Sequence, residues 1–111
     1  EYPIFPLAGR GLAVLSFDAP DRMTWLRKDL TDVTAMVAAG HKDWADRRSI
    51  NDSLMRGIDL ALARGDLNPD RIGISGLSDG STTTRFALIN NDRFAAAAIS
   101  SCCLEPHSMM T

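Results

Sequence analysis

Along this chain, short continuous apolar runs bounded by turn residues alternate with stretches in which apolar residues return every three or four positions. The first pattern suits strands buried on both faces of a parallel sheet, and the second suits amphipathic helices. Leu12-Ala13-Val14-Leu15-Ser16-Phe17, closed by the turn cluster Asp18-Ala19-Pro20-Asp21, predicts a strand at 12–17. Before it, Pro6 to Gly11 reads as the end of a short helix with glycine on its C-terminal side. Between 22 and 48, Trp25, Leu26, Leu30, Val33, Met36 and Val37 recur at near-helical spacing and predict one or two helices interrupted near Gly40.

The next helix is sharper. Ser49 has the chemistry of an N-cap, with Asp52 at the capping-box position. Ile50, Leu54, Ile58 and Leu62 form an i, i+4 stripe, joined by Met55 and Ala61. Arg64 suits the negative end of the helix dipole, and Gly65 suits a left-handed C-terminal position. Asn68-Pro69-Asp70 is a turn, and Arg71 to Ser75 a second strand. Thr82 to Asn90 predicts a further helix, stopped by Asn90-Asn91-Asp92. Phe94 to Ser100 predicts a third strand. Its alanines favour helix by propensity, but a sheet under two helix layers accepts small residues. Strands alternating with helices place the chain in the α/β class, with three parallel strands and flanking helices.

The 111 residues suffice for one small domain, and 45% hydrophobic with 23% charged residues is ordinary globular composition. A net charge of −2 calls for neither nucleic acid nor an anionic membrane as partner. No apolar run approaches the roughly 20 residues that span a bilayer. The opening Glu1-Tyr2-Pro3-Ile4-Phe5-Pro6 has no signal-peptide pattern, and without an initiator Met the native N-terminus is expected upstream. Cys102 and Cys103 are adjacent, which disfavours a structural disulfide between them. No His or third Cys sits at metal-ligand spacing around them, so they read as buried small residues at a strand end.

The chemistry concentrates in Gly76-Leu77-Ser78-Asp79-Gly80, a G-x-S-x-G sequence between a predicted strand and a predicted helix. A nucleophile on so tight a turn takes a strained backbone, and glycines at 76 and 80 remove clashes that side chains would make there. Ser78 is the candidate nucleophile. The backbone N–H of Asp79, at the positive end of the following helix, is the candidate oxyanion donor; one such donor contributes about 3–4 kcal/mol to a transition state. The plainer reading is a glycine-rich turn with a bystander serine. Phosphate-loop and dinucleotide patterns are absent: no Lys follows Gly80, and no G-x-G-x-x-G is spelled.

From Pro3 to Ser101 the chain resembles the α/β-hydrolase domain of the prolyl oligopeptidase family of serine peptidases. The likeness lies in "PLAGRGLAVLSFD", in "ARGDLNPDRIGISGLSDGS" and in "DRFAAAAISS"; Asn68 to Ile74 ahead of the glycine–serine turn is its most specific part. "GLSDG" and "SSCCLEP" are most similar to bacterial isopeptidases that open lasso peptides. Two departures bear on substrate: Ser81 stands where the family often has a second glycine, and Asp79 replaces a commoner aromatic or small residue.

The resemblance implies that residues 1–111 are the central part of one catalytic domain. It also implies that an absent strand lies between those at 12–17 and 71–75, and that the chain by itself is unstable and inactive. The implied activity is a serine peptidase acting on short or constrained peptides, with no metal or organic cofactor, in bacterial cytoplasm or periplasm. A carboxylesterase on the same fold and a non-catalytic α/β module are the alternatives. In the fold's order an acid and then a His follow the nucleophile. His107 comes too early for that order and reads as a surface or lid-loop residue. Asp92 reads as turn chemistry and His41 as solvent-facing. The triad Asp and His are therefore expected beyond residue 111.

Overall fold

The stripe Ile50, Leu54 and Ile58 is where the fold begins energetically. These side chains are 4%, 7% and 6% exposed, and burial of each contributes about 1.5–3 kcal/mol. In the computed structural model, which describes residues 4–21 and 27–100, they lie on α3 (Ala45–Leu62). Opposite stands Ala87 of α4 (Asp79–Asn90), fully buried, where a small side chain lets the two helices approach. Phe17, Met55, Leu62, Ile72, Ile74 and Phe94 close around this cluster. Polar ties reinforce it at the far end: Asn91 donates to Asn51 Oδ1 at 3.2 Å and to the Ala87 carbonyl at 3.0 Å, and Arg93 pairs with Asp59.

Strand β1 (Ile72–Leu77) and strand β2 (Phe94–Ser100) pair in parallel, with α4 as the crossover between them. The register runs from Ile72 opposite Phe94, through an irregularity after Ile72, to Leu77 opposite Ser100. Along β1, Ile72, Ile74 and Gly76 are the covered row, while Gly73, Ser75 and Leu77 are exposed. The expected strands at 71–75 and 94–100 are thus present, the first reaching on to Leu77.

The expected strand at 12–17 is not: two parallel strands are found, not three. A strand exists by exchanging backbone hydrogen bonds with a neighbour, and among the described residues the sheet consists of β1 and β2 alone. Phe17 packs on the core, and Leu15 lies against Gly57 of α3. Leu12, Val14 and Leu15 nevertheless remain 53%, 37% and 51% exposed.

Helix α1 (Ile4–Ala8) ends before Gly9, and Gly11 takes a φ of +81° where left-handed backbone is needed. Helix α2 (Val33–His41) starts at Asp32, whose carboxylate accepts the Ala35 N–H at 3.0 Å. Trp25 and Leu26 lie outside the described residues. The helix runs through Gly40, which is buried because the Asp46 side chain lies against it; a Cβ there would sit 2.2 Å from Asp46 Oδ2. The interruption falls later. Asp43 and Trp44 both adopt left-handed backbone, at φ 53° and 58°, and the Trp44 ring packs at 6.1 Å from Phe86 of α4. This corner starts α3 at Ala45, four residues before Ser49, so Ser49 is an interior helical residue and not a cap. At the other end Gly65 has φ +82°. Arg64 pairs with Asp66, and their hydrogen bond holds the Asp66 carboxyl below its ordinary range. Both groups are exposed, so the pair adds little to stability.

Leu12, Val14, Leu15, Leu77 and Ile99 present apolar surface, and each strand has an edge unpaired among the described residues. Such edges and patches promote association. The 111-residue chain expressed by itself is therefore expected to self-associate and to melt without a cooperative transition. Sedimentation and calorimetry check this; a monomer with a sharp unfolding endotherm would contradict it.

Candidate active site at the strand–helix turn

One residue separates β1 from α4, and it is Ser78. Its backbone sits at φ 56°, ψ −116°, a region that L-residues avoid and that costs about 1–3 kcal/mol to hold. Three hydrogen bonds clamp it. The Ser78 N–H donates to the Ser100 carbonyl at the end of β2 (3.4 Å). The Ser78 carbonyl accepts the N–H groups of Ser81 (3.0 Å) and Thr82 (3.4 Å). The strained residue is thus tied to the neighbouring strand on one side and to the first turn of α4 on the other.

The turn closes because α4 folds directly back over β1. A Cβ at Gly76 would stand 2.0 Å from the Gly80 carbonyl oxygen and 2.7 Å from Thr84 Oγ1, so only glycine fits. The expectation for Gly80 needs correcting in its detail. A Cβ at Gly80 meets nothing within 4 Å; Gly80 contributes the carbonyl that Gly76 must accommodate. Ser78 is exposed and its side chain caps no helix N–H, leaving the hydroxyl available above the sheet. Ser81 is the opposite case. It is 1% exposed, and its hydroxyl finds no partner among the described residues, so it is walled in behind the turn.

Asp79 opens α4, where backbone N–H groups point out of the helix end and the dipole favours negative charge. Its side chain carries a contact that sequence reasoning missed. Arg47, in the first turn of α3, grips the Asp79 carboxylate with both terminal nitrogens, Nη1 at 3.1 Å from Oδ2 and Nη2 against Oδ1. Nη1 also donates to Thr83 Oγ1 at 3.2 Å, and Thr83 Oγ1 donates to the Asp79 carbonyl at 3.2 Å. The Arg47 side chain is 18% exposed and that of Asp79 54%. The signal that could have found Arg47 is a cation in the first turn of a helix, against the dipole; starting α3 at Ser49 hid it.

The remaining candidates lie apart from this turn in the chain. His41 closes α2 and is exposed, and Asp92 is exposed in the connection from α4 to β2. Cys102, Cys103, Glu105 and His107 lie outside the described residues. Among the described residues no helix is long and apolar enough to cross a membrane, and no cluster of three or more His, Cys, Asp or Glu is placed to hold a metal ion.

No family model matches the chain. Among curated proteins it is 46% identical over 105 residues to the lasso peptide isopeptidase AtxE2 of Asticcacaulis excentricus. That match takes in 95% of this chain and 15% of the relative, so the chain spans about one-seventh of that protein's length. The solved apo structure of the AtxE2 isopeptidase aligns with a TM-score of 0.85 at 45% identity, over 93% of this chain and 16% of that one. A serine-to-alanine variant with Astexin3-dC4 bound aligns with a TM-score of 0.84 at 44% identity, over 91% and 15%.

Gly76→Ala is expected to disrupt the turn, because the Gly80 backbone cannot move 1 Å or more without unseating α4; soluble yield and Tm should fall sharply. Gly80→Ala should be far milder, since it adds a methyl into open space and gains about 1 kcal/mol of helix propensity. Equal losses in the two variants would overturn this assignment of the close approach.

Proposed function

We propose that this chain belongs to the prolyl oligopeptidase family of serine peptidases and that Ser78 is the nucleophile of a hydrolase acting on short or constrained peptides, lasso peptides among them. Residues 1–111 would be the central part of its α/β-hydrolase catalytic domain. The observation that carries the reading is Ser78 itself: an exposed hydroxyl on a strained one-residue joint, φ 56°, between a parallel strand and a helix N-terminus. Supporting it, the related AtxE2 is an isopeptidase, solved with a bound peptide in a serine-to-alanine variant.

Ser78 Oγ attacks the scissile carbonyl carbon while its proton passes to a general base. The carbonyl oxygen takes up negative charge beside the Asp79 N–H and the positive end of α4. Collapse of the tetrahedral species expels the amine, which takes the proton, and leaves an ester on Ser78. Water, activated by the same base, then releases the acid and regenerates the hydroxyl. On this reading the base and its orienting acid are a His and an Asp outside residues 1–111, and the isolated chain does not turn over.

The test uses the full-length protein that carries this chain. A fluorophosphonate should modify Ser78, read by peptide mass spectrometry, and Ser78→Ala should abolish both labelling and peptide cleavage, a loss of about a millionfold in kcat. Hydrolysis of simple esters without any peptide cleavage would favour a carboxylesterase on the same fold. An unlabelled Ser78 in folded protein would favour a non-catalytic module.

A further inference from the structure

We propose that Arg47 is a positioning residue for the reaction at Ser78, an inference that rests on the proposed role of that serine. Arg47 would cancel the charge that Asp79 places beside the developing oxyanion, and would hold the first turn of α4 so that its N–H groups stay aimed.

Asp79 poses an electrostatic problem. It directly follows the nucleophile, and its own N–H is the candidate oxyanion donor. A carboxylate there repels the negative charge that forms during attack, and at this short range solvent screens the repulsion only in part. The structure answers with a cation. Arg47 reaches across from α3 and engages both Asp79 oxygens, with a third hydrogen bond to Thr83 one turn along α4. Thr83 closes the loop onto the Asp79 carbonyl. The three residues brace the turn from the side, and the planar fork of arginine suits a two-point grip.

Arg47 pays for this role locally. It occupies the first turn of α3, where the helix dipole disfavours a cation. A local preference set aside in favour of one long-range contact is the pattern expected at a functional position. The corner that delivers Arg47 is also strained: Asp43 and Trp44 both adopt left-handed backbone, and Trp44 anchors on Phe86 of the same helix α4.

The experiment compares R47M, R47K, D79N and the double variant R47M/D79N in the full-length protein, with kcat, KM, the rate of fluorophosphonate labelling and Tm as readouts. R47M should lower kcat and labelling rate about tenfold, less than the loss of a whole oxyanion donor, with KM within about twofold. Adding D79N should recover most of that loss, because it removes the charge and keeps the backbone N–H. R47K keeps the cation but not the two-point grip, so its kcat and labelling rate should fall about threefold, between wild type and R47M, and it replaces R47M as the decisive variant should R47M fail to fold. Unchanged kcat in R47M or in R47K, a double variant no better than R47M, or a tenfold loss in R47K at wild-type Tm would each overturn the inference. Wild-type protein in which Ser78 is not labelled would instead overturn the serine-hydrolase reading, and Arg47's role with it.

Discussion

Everything around the candidate site depends on one backbone constraint, the joint at Ser78. A strand and a helix that follow one another with a single residue between them must reverse direction in about one peptide unit, and Ser78 does so at φ 56°, ψ −116°. That conformation survives only because its surroundings over-determine it. Gly76 admits the Gly80 carbonyl where any side chain would collide, and β2 supplies an acceptor for the Ser78 N–H. The packing of α4 on α3 through Ala87, Leu54 and Ile58 keeps the helix from swinging away. Core packing and site geometry are therefore one problem in this chain.

The second structural theme is how far α3 serves α4. Its apolar stripe supplies the core, Asn51 in its middle and Asp59 near its C-terminus tie to Asn91 and Arg93 just beyond the end of α4, and its first turn brings Arg47 to Asp79. Contacts at both ends and in the middle set the rotation and axial position of α4. The helix N-terminus, which carries the partial charge useful to acyl transfer on the proposed reading, is thereby set as well. The sheet below is small and open: β2 is exposed along most of its length, and the apolar segment at 12–17 lies beside the core without joining the ladder.

Local patterns were legible where the determining interactions lie close in sequence. The i, i+4 stripe of α3, the glycine at 65, the turn at Asn68, where Oδ1 accepts the Asp70 N–H at 2.9 Å, and the strand–Ser78–helix order all follow from neighbours within a few residues. The start of α3 did not. Ser49 has good capping chemistry, but contact between Trp44 and Phe86, 42 residues apart in sequence, accompanies an earlier corner through two left-handed residues. The strand at 12–17 failed for a related reason: an apolar run signals burial, whereas a strand requires a partner, and no partner is written in the run itself.

The sequence by itself determined the α/β class, the turn that holds Ser78 and the requirement for glycine at 76, because backbone sterics act over a handful of adjacent residues. Tertiary structure alone decided that Ser81 is walled in while Ser78 is open, and that Arg47 meets Asp79. Those outcomes depend on how α3 and α4 dock, and a contact spanning 32 positions has no local signature: its free energy is realised only when the whole core is in place.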